Sequence, residues 1–562
     1  MSKNLTRRAF NRQLSTIAAA PLAASLLKTS RAEDSSPLGV VRGEPTADKV
    51  GLEVLANGGN AIDAIVAAAM VAAVVVPHQT GWGGYGGHAA LALDGGKKIT
   101  SIDFNTMAPA AMQENIFAPD TNGKVPGQKN FYGWLAAGVP GIPAGLEFLL
   151  KRYGTRSLRD SIQPAINLAK NGFPFGSAAV ALKPAAKRLS EDPASLELYF
   201  KDGKPLEATD HYANPDLAKM LESFASDNST QSFYKGDIAK QIAAAFQAHN
   251  GIVTADDLAA YQAREVEPLK ITWNDWSIHT APLTAGGATI LEAMLLLQEL
   301  KWAEKDPLAV ETAQLQVEAF RYAWQDRLQF FGDPKRVNID LDKYPDTSVG
   351  TITIPVRGGF LNPNIIRNPA RQIEKAVATN TPLPVRVTSR PDQGTINLSA
   401  VDKDGNLAAL TLTHGGGFGA GVTVPGLGLT LGHGMSRFDP HPGHPNCPGW
   451  FKRPLHNMCP TIVCKNGQPM YALGARGGRK IPNAVGEVIL QIVARGKSLT
   501  EAVAAPRMHT EGMLAVQFEK AWPATQSEGL KTRGYTVTTA PSATVSAAGL
   551  ANEPNRFIAA MR

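Results

Sequence analysis

One stretch limits what this chain can fold into more than any other. Two apolar, β-prone runs, Ile396 to Val401 and Leu407 to Leu412, flank Asp404-Gly405. Tight turns of this kind need positive φ, which Asp and Gly tolerate, so the stretch reads as an antiparallel hairpin. Thr395 stands at the entry of the first strand and Thr413 follows the return strand. A threonine hydroxyl is a poor nucleophile at neutral pH unless something takes its proton. One solution makes the threonine a chain terminus whose own α-amine is the base. For Thr395 this requires the chain to cut itself between Gly394 and Thr395. The segment from Thr381 to Gly394, rich in Pro, Arg and Ser/Thr, reads as an exposed connection leading to that cut.

Periodicity places further elements around the hairpin. Helical patterns run from Ala47 to Val76, Pro143 to Tyr153, Leu158 to Asn171, Asp237 to Ala248, Ala288 to Leu300 and Val310 to Phe330. Strand-like runs cover His88 to Leu93, Ile99 to Phe104 and Thr461 to Cys464. No solenoid or propeller repeat is present. The length suffices for two or more ordinary domains, yet nothing reads as a linker, and the expectation is one large α/β unit.

The N-terminus reads as an export signal over residues 1–32. Lys3 and Arg7-Arg8 form a basic start, Ile17 to Leu27 an apolar stretch, and Ser30-Arg31-Ala32 a small-residue cleavage site. Thr6-Arg7-Arg8-Ala9-Phe10 looks like a twin-arginine signal. A basic tail or a membrane anchor is the plainer alternative, but Pro21 interrupts an apolar stretch too short to span comfortably. These residues hold six basic groups and no acidic one, so the formal net charge of +7 falls to +1 on their removal. The remaining charge gives no case for nucleic acid. A periplasmic or secreted protein without a stable membrane anchor is expected. Three cysteines, Cys447, Cys459 and Cys464, exclude a disulfide scaffold. The Ala/Val run from Ile62 to Val76 reads as a buried core helix.

The chain resembles the γ-glutamyltranspeptidase family of N-terminal-nucleophile hydrolases, and many blocks in the family's order carry the resemblance. They include Asn57-Gly58-Gly59-Asn60-Ala61-Ile62-Asp63-Ala64, Met107-Ala108-Pro109, Gly138-Val139-Pro140-Gly141, Phe233-Tyr234-Lys235-Gly236 and Asp326-Arg327 with Gly332-Asp333-Pro334. After Thr395 come Thr413, Phe418-Gly419, Arg453-Pro454-Leu455, Pro460-Thr461-Ile462-Val463 and Gly477-Gly478. The resemblance implies an αββα sandwich made by two autocleavage fragments, a large subunit over 33–394 and a small catalytic subunit over 395–562. It implies a small-molecule amide substrate, an acyl-enzyme on Thr395, and neither cofactor nor metal. Thr413 is expected to position Thr395, with packing by its methyl as the alternative. Gly477 and Gly478 are expected to offer backbone amides to an oxyanion, since glycine lets the backbone approach a reacting carbonyl closely. A simple turn is their alternative.

Several substrate contacts of the family are altered. Asn105 takes the place of the arginine that recognises a γ-glutamyl α-carboxylate, and Arg437 that of the acid holding the α-ammonium. His456-Asn457 replace a serine pair, and Gly415 an asparagine. Arg476 and Arg479 flank Gly477-Gly478. Guanidinium groups hold carboxylates in bidentate fashion, so the expectation is an anionic acyl group other than γ-glutamyl, unless these arginines face solvent or nearby acids. A true γ-glutamyltransferase or glutathione hydrolase is the alternative, and a non-catalytic binding protein on the same fold is the alternative of another class.

Other signals are weaker. His414-Gly415-Gly416-Gly417 resembles an esterase oxyanion loop but has no Gly-x-Ser-x-Gly partner. His433, Asp439, His441, His444 and Cys447 crowd one span, but a Pro/Gly-rich run where the family has a lid explains them better than zinc does.

Overall fold

A computed structural model describes residues 38–334, 361, 363–387, 394–551 and 556–562. The expected export segment lies outside the described residues, as do positions 388–393 of the connection before Thr395. The hairpin is present and its turn is tied down by one carboxylate. Asp402 accepts from the backbone N–H groups of Asp404 and Asn406, both at 3.0 Å, and from the Asn406 amide at 2.8 Å. Gly405 adopts φ of +77°, a conformation that favours glycine.

In chain order the strands of the two large sheets are β1 (Gly39–Arg42), β2 (Gly86–Leu93), β3 (Lys98–Phe104), β4 (Arg264–Val266), β5 (Leu269–Trp273) and β6 (Trp276–Thr280). Beyond Thr395 follow β7 (Ile396–Asp402), β8 (Leu407–Thr413), β9 (Thr461–Lys465), β10 (Gln468–Arg476), β11 (Thr544–Leu550) and β12 (Phe557–Met561). One sheet has the order β1-β7-β8-β2-β3-β4 and the other β12-β11-β10-β9-β6-β5, six strands each. Strands β7 and β8 are buried along their whole length, because one face meets helices and the other meets the second sheet. Between the sheets lies an apolar cluster of Val401, Leu407, Ile462 and Ala548 with a polar layer nearer Thr395. Thr411 donates to Asn397 Oδ1 at 2.7 Å, Asn397 Nδ2 donates to Ser546 Oγ at 2.8 Å, and Ser399 donates to the Ser546 carbonyl at 3.1 Å. Buried polar groups must find partners, so this layer fixes how β7 and β8 sit on β11.

The helices that matter here are α1 (Pro45–Ala56), α2 (Ala61–Val75), α3 (Ile142–Tyr153), α4 (Leu158–Asn171), α5 (Ala178–Ser190), α6 (Asp237–Ala248), α7 (Gly287–Glu299), α8 (Val310–Phe330) and α9 (Lys480–Val493). Helix α2 covers β7 and β8, while α7 and α9 cover the second sheet, with α8 behind α7. The order helix, sheet, sheet, helix is the αββα sandwich. Helical sequence from Ala47 to Val76 is divided between α1 and α2. Gly58 at φ +83° ends the first, and Asn60 starts the second. Asn60 Oδ1 accepts from Ile62 and Asp63 N–H, both at 2.9 Å, and Asp63 returns a bond to Asn60 N–H at 2.9 Å. Such a capping box stabilises a helix by about 1 kcal/mol. Helix α2 is apolar all round, as a helix enclosed on every side must be.

A cut between Gly394 and Thr395 would leave β1 to β6 on one fragment and β7 to β12 on the other. Each sheet then contains strands from both. No helix among the described residues is long and apolar enough to cross a membrane.

Candidate active site

The register of the hairpin pairs Ile396 with Leu412, which sets Thr395 opposite Thr413. Thr395 Oγ lies 2.6 Å from the Gly394 carbonyl oxygen and 3.1 Å from Thr413 Oγ. The Thr413 hydroxyl donates to the same Gly394 carbonyl, and Gly415 N–H donates to Thr413 Oγ at 2.7 Å. A hydroxyl has one donor and two lone pairs. Thr413 therefore has a use for each: it holds the carbonyl, it is fixed by Gly415, and it can accept the Thr395 proton. Thr413 is fully buried and Thr395 nearly so. Gly394 has φ of +103°, and a Cβ there would come within 2.9 Å of the Gly416 backbone.

Gly415 has its own steric reason. At φ +96°, a Cβ would lie 2.8 Å from the His433 ring, so a larger residue has no room. His433 is fixed by Ser436 Oγ at 2.5 Å, and burial together with Arg437 pushes its pKa well down, keeping the ring neutral. His414, in the same loop, is pushed down to about 3 by burial.

Gly477 and Gly478 follow β10, whose Gly474 backs on the Asn397 side chain. Their φ values of +138° and +62° favour glycine. Among the described residues neither amide donates a hydrogen bond, and both stand just before the N-terminus of α9, where helix dipoles favour negative charge.

A cavity of about 540 Å³ opens beside this centre. Arg327, Arg386, Arg437 and Arg479 line it, with Asn457, Asn130, Asp439, His441 and His444. Arg437 joins it to the threonines by donating to the Gly415 carbonyl at 3.1 Å. Arg479 pairs with Glu511 at 3.2 Å. Arg476 bonds Gln79 at 3.2 Å and does not line the cavity. Asn105 lies elsewhere, fully buried, its amide donating to Thr284 at 3.0 Å and to the Pro454 carbonyl at 2.8 Å. His456 is buried against the His88 ring at 5.4 Å. Thus Asn457, Arg437 and Arg479 are the substrate-contact candidates that reach the cavity, and Asn105, His456 and Arg476 are not among its lining residues.

Among the described residues no three His, Cys, Asp or Glu side chains converge on a possible metal position. His441 bonds Asp439 at 2.7 Å, and Cys447 bonds Glu114 at 3.0 Å. The cysteines are free and buried.

The sequence model of the family described as gamma-glutamyltranspeptidase matches residues 47–561. The chain belongs to the γ-glutamyltranspeptidase family. A relative from Escherichia coli (strain K12) named glutathione hydrolase proenzyme is 33% identical over 481 residues, 83% of this chain and 80% of that protein. A protein of the same name from Bacillus subtilis (strain 168) is 31% identical over 525 residues, covering 89% and 85%. In fold the chain is similar to a cephalosporin acylase from Bacillus halodurans, with a TM-score of 0.80 at 24% identity over 95% of this chain and 96% of the other. As a γ-glutamyltranspeptidase family member the chain is an enzyme, an N-terminal-nucleophile hydrolase with a threonine nucleophile. It is made as a self-cleaving proenzyme that acts on amide bonds of small substrates and works as two fragments of one precursor.

Residues that sequence reasoning did not single out for this site are Asn130 and Arg386. Arg327 appears there only as part of a family block. None carries a local motif, and only packing assembles them.

Proposed function

We propose that Thr395 is the nucleophile and that the mature enzyme hydrolyses amides of a small carboxylate-bearing acyl group, with γ-glutamyl amides such as glutathione first. The observation that carries this reading is the Thr395 hydroxyl at 2.6 Å from the Gly394 carbonyl oxygen, with Thr413 bonded to both. In the precursor, Thr395 Oγ bonds to the Gly394 carbonyl carbon and the Gly394 C–N bond breaks. The hydroxyl proton ends on the departing nitrogen, which becomes the free α-amine. Water then cleaves the ester, leaving a Gly394 carboxylate and a Thr395 hydroxyl beside its own amine. In the mature site that amine, with an ordinary pKa of about 8, accepts the hydroxyl proton as Oγ attacks the substrate amide. It returns the proton to the leaving amine, and water resolves the acyl-enzyme. The Gly477 and Gly478 amides serve the oxyanion. The first 32 residues support export through a twin-arginine route to the periplasm or beyond.

Relatives at 33% and 31% identity, named glutathione hydrolase proenzymes, support the γ-glutamyl reading. A second reading, an acyl group with the carboxylate but no α-ammonium, is favoured by Arg437 lining the cavity where the family has an acid. Two like unit charges 4 Å apart repel by about 4 kcal/mol at an effective dielectric constant of 20. The bonds of Arg437 to Gly415 and of Arg479 to Glu511 weaken that argument, because the protein already engages these cations. The γ-glutamyl reading therefore stands first. Replacing Arg437 would disturb the Gly415 loop, so a substrate pair is the cleaner test. γ-Glutamyl- and glutaryl-p-nitroanilide differ only in the α-ammonium. The proposal expects kcat/KM for the γ-glutamyl compound to equal or exceed that for the glutaryl compound. A tenfold glutaryl preference would install the second reading, and no turnover of either by processed enzyme would remove both.

A further inference from the structure

We propose that Arg188 is a positioning residue for self-cleavage, holding the loop from His414 to Gly417 against the scissile peptide. The loop meets that peptide in two ways. Gly416 packs directly on Gly394, its backbone carbonyl carbon 2.9 Å from where a Gly394 Cβ would stand. Gly415 N–H fixes Thr413 Oγ at 2.7 Å, and the Thr413 hydroxyl in turn holds the Gly394 carbonyl. Three consecutive glycines have no side chains by which such a loop could be packed, and glycine has the most backbone freedom to lose. Something else must hold it in register.

Backbone bonds anchor the loop's flanks, from His414 N–H to the Gln79 carbonyl at 3.0 Å and from Gly419 N–H to the Gly416 carbonyl at 2.9 Å, and two guanidinium groups hold the carbonyls of Gly415 and Gly417. Arg437 donates to the Gly415 carbonyl at 3.1 Å, and Arg188 Nη2 donates to the Gly417 carbonyl at 2.8 Å. Arg188 comes from the last turn of α5, far away in sequence, and its guanidinium lies 4.4 Å from the centre of the Tyr132 ring. Among the described residues the polar side chain that acts on Arg188 is Tyr132, not a carboxylate, and the buried Nε of Arg188 has no hydrogen-bond partner. A half-buried cation without a counter-ion is costly to keep, so its retention here is best accounted for by the carbonyl it grips. A planar guanidinium stacks on an aromatic ring while donating from its edge, which an ammonium does not do. A displacement of about 1 Å in a reacting group costs on the order of a hundredfold in rate, so loss of one end of this clamp falls mainly on the cleavage step.

The inference rests on Thr395 being the nucleophile, and cleavage of the parental chain between Gly394 and Thr395 tests that reading separately. The experiment follows the disappearance of full-length chain by denaturing mass spectrometry for the parent, Arg188→Met and Arg188→Lys, with melting temperatures alongside. Met keeps the packing stem without a donor; Lys restores one donor. The clamp predicts that Arg188→Met lengthens the cleavage half-time about tenfold or more, that Arg188→Lys recovers part of the rate, and that the two variants melt alike. Cleavage of Arg188→Met at the parental rate would overturn the proposal. So would equal slowing in both variants that tracks a fall in melting temperature, since that is a packing defect. If Arg188→Met is insoluble, Arg188→Lys decides alone: severalfold slower cleavage at the parental melting temperature supports the clamp, and the parental rate overturns it. A parental chain that never cleaves at Gly394 removes the Thr395 reading and the clamp together.

Discussion

Thr413 is the residue through which the other groups of the centre act. Its hydroxyl donates to the Gly394 carbonyl while its oxygen accepts from Gly415 and faces Thr395 Oγ at 3.1 Å. Removing a donor aimed at a developing oxyanion typically costs a hundredfold to a thousandfold in rate. Thr413→Val keeps the shape and deletes the hydroxyl, so self-cleavage is expected to slow by about a hundredfold or more. Thr413→Ser, which keeps the hydroxyl, is expected to stay within about tenfold of the parent. Quantifying the uncleaved chain over time checks both, and equal rates for Val and Thr would leave Thr413 a packing residue. At the same scale, the altered family positions have different meanings. Gly415 is small because the His433 ring fills the adjoining space, whereas Asn105 is bonded inside the protein and leaves the cavity to others.

At the scale of elements, the hairpin brings the chemistry together, and Gly394 is its most constrained point. With φ of +103° and the Gly416 backbone 2.9 Å from any added Cβ, Gly394→Ala must either move the loop or rotate the scissile peptide. Left-handed or otherwise sparsely populated backbone costs a residue with a Cβ roughly 1–3 kcal/mol. Gly394→Ala is therefore expected to fold but to accumulate as precursor, with a half-time longer by about tenfold or more on a denaturing gel. The hairpin was legible in the sequence because two apolar, β-prone runs, the turn chemistry and the threonines all lie within one local stretch. Strands β2, β3 and β9 were legible for similar local reasons. Strands β10 to β12 were not, since runs such as Thr544–Leu550, rich in Ala, Ser and Gly, acquire strand character only by pairing in the second sheet. The arginine-lined cavity was half legible. Arg437 and Arg479 sit beside recognisable motifs, while Arg386 reaches the cavity from sequence that looks like ordinary loop.

At the scale of the whole molecule, the cut divides the chain but not the fold. Strands β7 and β8 lie between β1 and β2 in one sheet, and β9 pairs with β6 in the other. Separating the fragments would break both ladders and strip helix α2 from the face of β7 and β8. The cleaved enzyme is therefore expected to elute as a single species in native gel filtration, with both fragments in equal amounts. Fragments that part without denaturant would contradict this topology. The central claim, a chain that converts Thr395 into its own terminal nucleophile, is tested most directly by the denatured mass of the purified protein beside Thr395→Ala. The account predicts two fragments meeting at Gly394 and Thr395 in the parent and one intact chain in the variant. An intact parental chain after long incubation, or a Thr395→Ala chain cut at the same bond, would contradict it.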